Sequence, residues 1–176
     1  MVDLSTEYLG LKLKNPIIVG SSGLTSSIEK IKDIEAKGAG AVVLKSIFEE
    51  EVAFEFADFI KTAKKFGESD KYFDYDGRKN PIEYYDYVIR EENLTKYITL
   101  IEESKKAVSI PVIASINCYF HSAEWMSYAK HIEGAGADAL ELNMFFPPTD
   151  FGHTKEEKES VYFQITEKIT QKLSIP

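Results

Sequence analysis

The sequence predicts an α/β chain of the (β/α)8 TIM-barrel type, carrying about the first four βα units behind an N-terminal hairpin. Three observations predict it. Short apolar runs at residues 17–19, 41–44, 112–116 and 137–142 alternate with stretches of helical spacing, the pattern of buried parallel strands joined by crossover helices. Pro opens such a run at Asn15-Pro16 and Ile110-Pro111, and the same signal returns at Ile175-Pro176. The run IEAKGAGAVVLK at residues 34–45 matches IEGAGADALELN at 132–143, so helix end, glycine turn and strand recur as one unit. A closed barrel needs eight units, and the expectation is therefore a half-barrel or a truncated chain.

Residues 4–8 and 11–13 are short extended runs around Gly10, read as a hairpin that plugs the bottom of a barrel. Residues 17–19 form the first buried strand, and Gly20, Ser21, Ser22 and Gly23 the loop after it. Thr25 or Ser26 is placed to cap a helix carrying Ile28, Ile31 and Ile34, which Lys37-Gly38 ends. Residues 41–44 form the second strand, with Lys45-Ser46 at its carboxyl end. A long aromatic and acidic insertion is expected at about 47–93. In it Phe48, Val52, Phe56, Phe59 and Ile60 fit one helical stripe behind the acidic start Glu49–Glu51. Residues 71–80 read as a loop, and connections of this length are often functional. A helix over about 94–108 leads to the strand at 112–116, closed by Asn117. An amphipathic stretch at 122–133 leads through Gly134-Ala135-Gly136 to the fourth strand, closed by Asn143. A loop with paired prolines precedes a last helix at 155–173, with Val161, Ile165, Ile169 and Leu173 at near-helical spacing.

The chain has 176 residues, enough for one domain with a core, and spans residues 1–176 as a single unit. Its formal charge of −8 disfavours nucleic acid as a partner. No run is long and apolar enough to span a bilayer, and MVDLSTEYLG has neither the basic start nor the apolar core of a signal peptide. The expectation is a cytoplasmic protein with no membrane partner. The single cysteine, Cys118, gives neither a disulfide framework nor a cysteine metal cluster, and His121, His131 and His153 form no metal constellation.

Sites in parallel sheets gather at the carboxyl ends of the strands. The residues expected there are Lys45, Ser46, Asn117, Asn143 and the loop Gly20–Ser22. Each has a plain alternative: Lys45 snorkels to solvent, the asparagines end strands as turn residues, and the serines open a helix. Tyr119, Phe120, Phe145 and Phe146 either wall a flat pocket or belong to the core. Glu141 sits inside the fourth strand and receives no role. Asp150 caps the last helix or holds its loop.

These residues together resemble the dihydroorotate dehydrogenase family of flavin enzymes. The resemblance rests on LGLKLKNPIIVGSSG, AVVLKS, PVIASIN and ADALELN, and covers the whole chain. SIFEEE after the second strand and FFPPTD after the fourth are similar to the dihydroorotate dehydrogenase-like branch. The resemblance implies an FMN-binding (β/α)8 barrel that oxidises a CH–CH bond of a small-molecule substrate, with a link to pyrimidine biosynthesis. It implies that Gly20, Ser21 and Ser22 lie beside the flavin and that Lys45 is catalytic, near flavin and substrate, with Ser46 after it. Asn143 matches an asparagine that bonds flavin or substrate, and Asn117 one found near the flavin in some branches. One position departs. The family's Cys or Ser base is here Phe146, which cannot take a proton. Three expectations follow: a flavin oxidoreductase completed by a C-terminal half or by a second copy; a non-catalytic half-barrel that dimerises without cofactor; and a phosphate-binding barrel lyase or epimerase, which NPIIVGSSG and VLKS disfavour.

Overall fold

A computed structural model describes residues 2–48, 81–117, 124–144, 152 and 154–176; in the helices that start at 81 and 124, side chains are described from 90 and 125 onward. The chain opens with an antiparallel hairpin of β1 (Thr6–Tyr8) and β2 (Leu11–Leu13). Leu9 (φ 54°) and Gly10 (φ 76°) are both left-handed, the two-residue turn whose twist matches that of the strands.

The main sheet contains β3 (Ile18–Val19), β4 (Ala41–Val43), β5 (Ile47–Phe48), β6 (Val112–Asn117) and β7 (Ala139–Leu142). Every pairing in it is parallel. β4 and β5 both lie along β6, one after the other, so the spatial order follows the chain: β3, then β4 and β5, then β6, then β7. That order suits an arc of a (β/α) barrel. Helices α1 (Ile28–Ala36), α2 (Pro81–Ala107), α3 (Glu124–Gly134) and α4 (Lys155–Thr170) supply the second layer.

Strand alternation sends side chains to two cores. Val42, Leu44, Val112, Ala114 and Ile116 face the helices and pack with Ile31, Ile101, Trp125, Tyr128 and Ile132. Each fully buried isoleucine there contributes roughly 1.5–3 kcal/mol. The opposite face carries Ala41, Val43, Ile113 and Ala139, and Leu13 from the hairpin seals them. The expected plug is thus Leu13, 3% exposed.

The repeat in the sequence is also a repeat of contacts. Glu35, at the end of α1, accepts from the Ser109 amide and hydroxyl (both 2.7 Å) and from the Ile110 amide (3.2 Å). Glu133, at the end of α3, accepts from the Ser174 amide (2.5 Å) and hydroxyl (2.7 Å). Each helix therefore grips the Ser-Ile-Pro segment that follows the next helix. Gly38 (φ 97°) and Gly136 (φ 86°) hold matching left-handed turns after these glutamates. Gly40 is required for a different reason: a Cβ there would overlap the Asn15 backbone carbonyl.

Several expectations shift. The first strand is not buried: Ile17 is 61% exposed, and Ile18 and Val19 are half-buried, because among the described residues β3 pairs on one side only, with β4. Phe48 belongs with Ile47 to a strand rather than to a helical stripe, since β6 extends far enough to pair with them. α2 begins at Pro81 rather than at about residue 94. Ser27, not Thr25 or Ser26, precedes α1. Thr25 is instead buried in a 3-10 turn (Gly23–Thr25), in a reciprocal capping box with Ser22. The last helix ends at Thr170, and Thr154 caps it with Glu157 in a second capping box, the role considered for Asp150. Residues 49–80 lie outside the described residues.

Candidate functional site

Between Val43 and Ile47 the register slips by one. Leu44, Lys45 and Ser46 stand opposite only Ala114 and Ser115 of β6. This is a bulge, and its extra residue re-aims the side chains around it. In a regular strand Lys45 and Ser46 would point to opposite faces; here both line one cleft. The Lys45 amide leaves the ladder and donates to the Thr25 carbonyl (3.2 Å).

The gap in the ladder is filled from α2. The buried Tyr97 hydroxyl accepts from the Ser115 amide (2.8 Å) and donates to the Ser115 carbonyl (3.0 Å). Burial pushes the Tyr97 phenol above its ordinary pKa, so it stays a neutral donor.

Above the apolar floor, the inner face turns polar. Ser21 Oγ is 3.0 Å from Ser46 Oγ, and Ser46 Oγ is 2.7 Å from Ser115 Oγ. Ser115 Oγ donates to Glu141 Oε1 (2.7 Å). The Ser46 amide donates to Ser21 Oγ (2.9 Å), and Asn143 Nδ2 reaches Ser46 Oγ at 3.5 Å. A cleft of about 620 Å³ opens over this network, lined by Ser21, Ser22, Lys45, Ser46, Glu141 and Asn143 among others. Its position at the carboxyl edge is the one parallel barrels use for ligands. A second cavity of about 430 Å³ lies between α1 and α2, and Lys45 and Ser46 line it too.

The structure brings Ser21, Ser22, Lys45, Ser46 and Asn143 to one cleft. It does not bring Gly20 or Asn117 to the lining. Asn117 ends β6, paired with Phe48 of β5. Sequence reasoning passed over Ser115 and gave Glu141 no role. Period-two alternation from Asn117 back to Ser115, and from Asn143 back to Glu141, is the signal that finds them. Cys118, Tyr119, Phe120, His121, Phe145, Phe146, Asp150 and His153 lie outside the described residues. Among the described residues no group of His, Cys, Asp or Glu could hold a metal ion, and no helix is long and apolar enough to cross a membrane.

The donor set suits a flat, polar-edged ring. Lys45 offers a cation, Asn143 an amide and Ser21 and Ser46 hydroxyl groups. A Cβ at Gly20 or Gly23 would meet nothing within 4 Å, so the backbone there leaves room for close approach.

A sequential parallel arc with a polar cleft at its carboxyl edge defines a partial (β/α)-barrel protein. No family model matches the chain. The chain is 29% identical, over its full length, to "Dihydroorotate dehydrogenase B (NAD(+)), catalytic subunit" of Thermoplasma volcanium, and 29% identical to the protein of that name from Thermoplasma acidophilum. It covers 53% of each, so it spans about half the length of these curated relatives. The resemblance to the dihydroorotate dehydrogenase family thus extends over the whole chain.

Proposed function

We propose that this chain forms the flavin-facing part of an FMN-dependent oxidoreductase of dihydroorotate dehydrogenase type, acting on a CH–CH bond of a small molecule in the cytoplasm. The observation that carries the reading is the bulge, which puts Lys45 and Ser46 together in a cleft with Ser21 and Asn143. In this reading Lys45 is catalytic and offsets negative charge on the ring and on substrate. Asn143 bonds ring or substrate, and Ser21 and Ser22 lie against the ring edge. FMN, when bound, supplies the hydride acceptor. NAD(+), which the relatives' name carries, is the electron acceptor this reading expects.

The test is a visible absorption spectrum of the full chain after incubation with FMN and removal of free flavin. Retained flavin bands support the reading, and their loss in K45A ties them to this cleft. A wild-type chain that elutes colourless overturns it, and a colourless dimer then supports the non-catalytic half-barrel.

A further inference from the structure

Three serine hydroxyls and one carboxylate form a line across the inner face of the sheet, from Ser21 through Ser46 and Ser115 to Glu141. A carboxylate only accepts, and each hydroxyl has one proton to give. Ser115 gives its proton to Glu141, so Ser46 donates to Ser115 and Ser21 donates to Ser46. The whole chain of bonds points at Glu141. Ser21 Oγ also accepts from the Ser46 amide, which leaves it one lone pair. Ser46 is 3% and Ser115 0% exposed, Glu141 is exposed, and Ser21, Ser46 and Glu141 line the cleft. Among the described residues the charged groups lining this cleft are Lys45 and Glu141.

We infer that Ser21, Ser46, Ser115 and Glu141 are a proton relay that takes a proton from a ligand in the cleft and stores it on the Glu141 carboxylate. The ligand's X–H bond breaks and X keeps the electron pair. Ser21 gains that proton as its own passes to Ser46, that of Ser46 to Ser115, and that of Ser115 to Glu141 Oε1. The ligand becomes more negative by one charge, Glu141 becomes neutral, and nothing within the relay is oxidised or reduced. Every hydrogen bond in the line then runs the other way, so Ser21 changes from acceptor to donor toward the ligand. The Lys45 ammonium on the same wall favours the anion that is left. The ligand class is a small molecule with a dissociable proton. The relay deepens the oxidoreductase reading, on which it rests for the ligand, by naming where the proton of a CH–CH oxidation goes when position 146 is Phe. Ser115 and Glu141 act through Ser21 and are positioning residues.

The test is difference infrared spectroscopy of the full chain, with the Glu141 carboxylate identified as the band missing from E141Q. Removing the direct donor in S115A shifts that band. S46A shifts it less, and S21A, three hydrogen bonds away, still shifts it through the polarised line. A purely local Ser115–Glu141 bond leaves the band of S46A and S21A at the wild-type position, and that result overturns the relay even if S115A fails to fold. FMN retention is read on the same samples. Coupling without retained flavin overturns the cofactor reading and leaves the relay standing; retained flavin without coupling overturns the relay alone.

Discussion

The Tyr97 hydroxyl stands in for a strand: it bonds both the amide and the carbonyl of Ser115, where the bulge leaves β6 without a ladder partner on the side of β4 and β5. A helix side chain thereby supports the backbone beneath the candidate site. Y97F leaves two buried backbone groups unsatisfied, and each such group costs about 1–3 kcal/mol. Urea unfolding of Y97F is expected to show a lower midpoint with an unchanged slope. A midpoint equal to wild type would mean that water replaces the phenol at no cost.

Among the described residues, Lys45 is the cation that lines the cleft. K45A is expected to weaken FMN retention by about tenfold or more, the scale of a lost hydrogen bond to a charged group. Equilibrium titration of flavin fluorescence measures it, and equal affinity in the variant would remove Lys45 from the site.

The Ser174 amide and hydroxyl pull the Glu133 carboxyl from an ordinary 4.5 down to about 2. Glu35 is lowered in the same direction by the Ser109 hydroxyl and amide. A depressed carboxyl contributes stability that is present above its unfolded pKa and is lost as pH falls through the folded value. Wild type is therefore expected to lose stability between about pH 4.5 and 2. E133Q should show a flatter profile over that window, read by denaturant melts at a series of pH values. Parallel profiles would remove this clamp from the acid response.

Gly40 packs directly on the Asn15 carbonyl, which is backbone and cannot swing aside. G40A is expected to destabilise by about 1–3 kcal/mol, the usual penalty for overpacking. An Ala at the exposed Gly20, where a Cβ meets nothing, serves as the folding control in the same thermal melts. Equal losses at the two positions would contradict the close approach.

Much of this architecture is legible in the residues because it is periodic or punctuated. Proline openings, glycine turns and apolar runs located β4, β6, β7 and the helices that precede them. The match between residues 34–45 and 132–143 marked the repeated helix end, turn and strand, but not the clamps that Glu35 and Glu133 make within it. What stayed hidden has a common cause. The bulge at residues 44–46 adds one residue without any glycine or proline to mark it, so nothing in the sequence shows that Lys45 and Ser46 share a face. The contact of Ser46 with Ser115, 69 positions away, could not be read either. Phe48 read as part of a helical stripe because hydrophobic spacing cannot tell a two-residue strand from a helical turn. Asn15 read as a strand-entry residue, yet its side chain also donates to the Gly38 carbonyl, a long-range role that no local pattern encodes.

The two glutamate clamps impose an order of assembly. Glu35 has no backbone to grip until Ser109 has been made, 74 positions later, and Glu133 none until Ser174, 41 positions later. As the chain leaves the ribosome, the ends of α1 and α3 lack these bonds until the Ser-Ile-Pro segment after the next helix arrives. A pause in translation after α1 or α3 would leave a helix end unlatched and its carboxylate exposed. Synonymous codon changes ahead of Ser109 or Ser174 should therefore alter the yield of folded protein without altering a single residue.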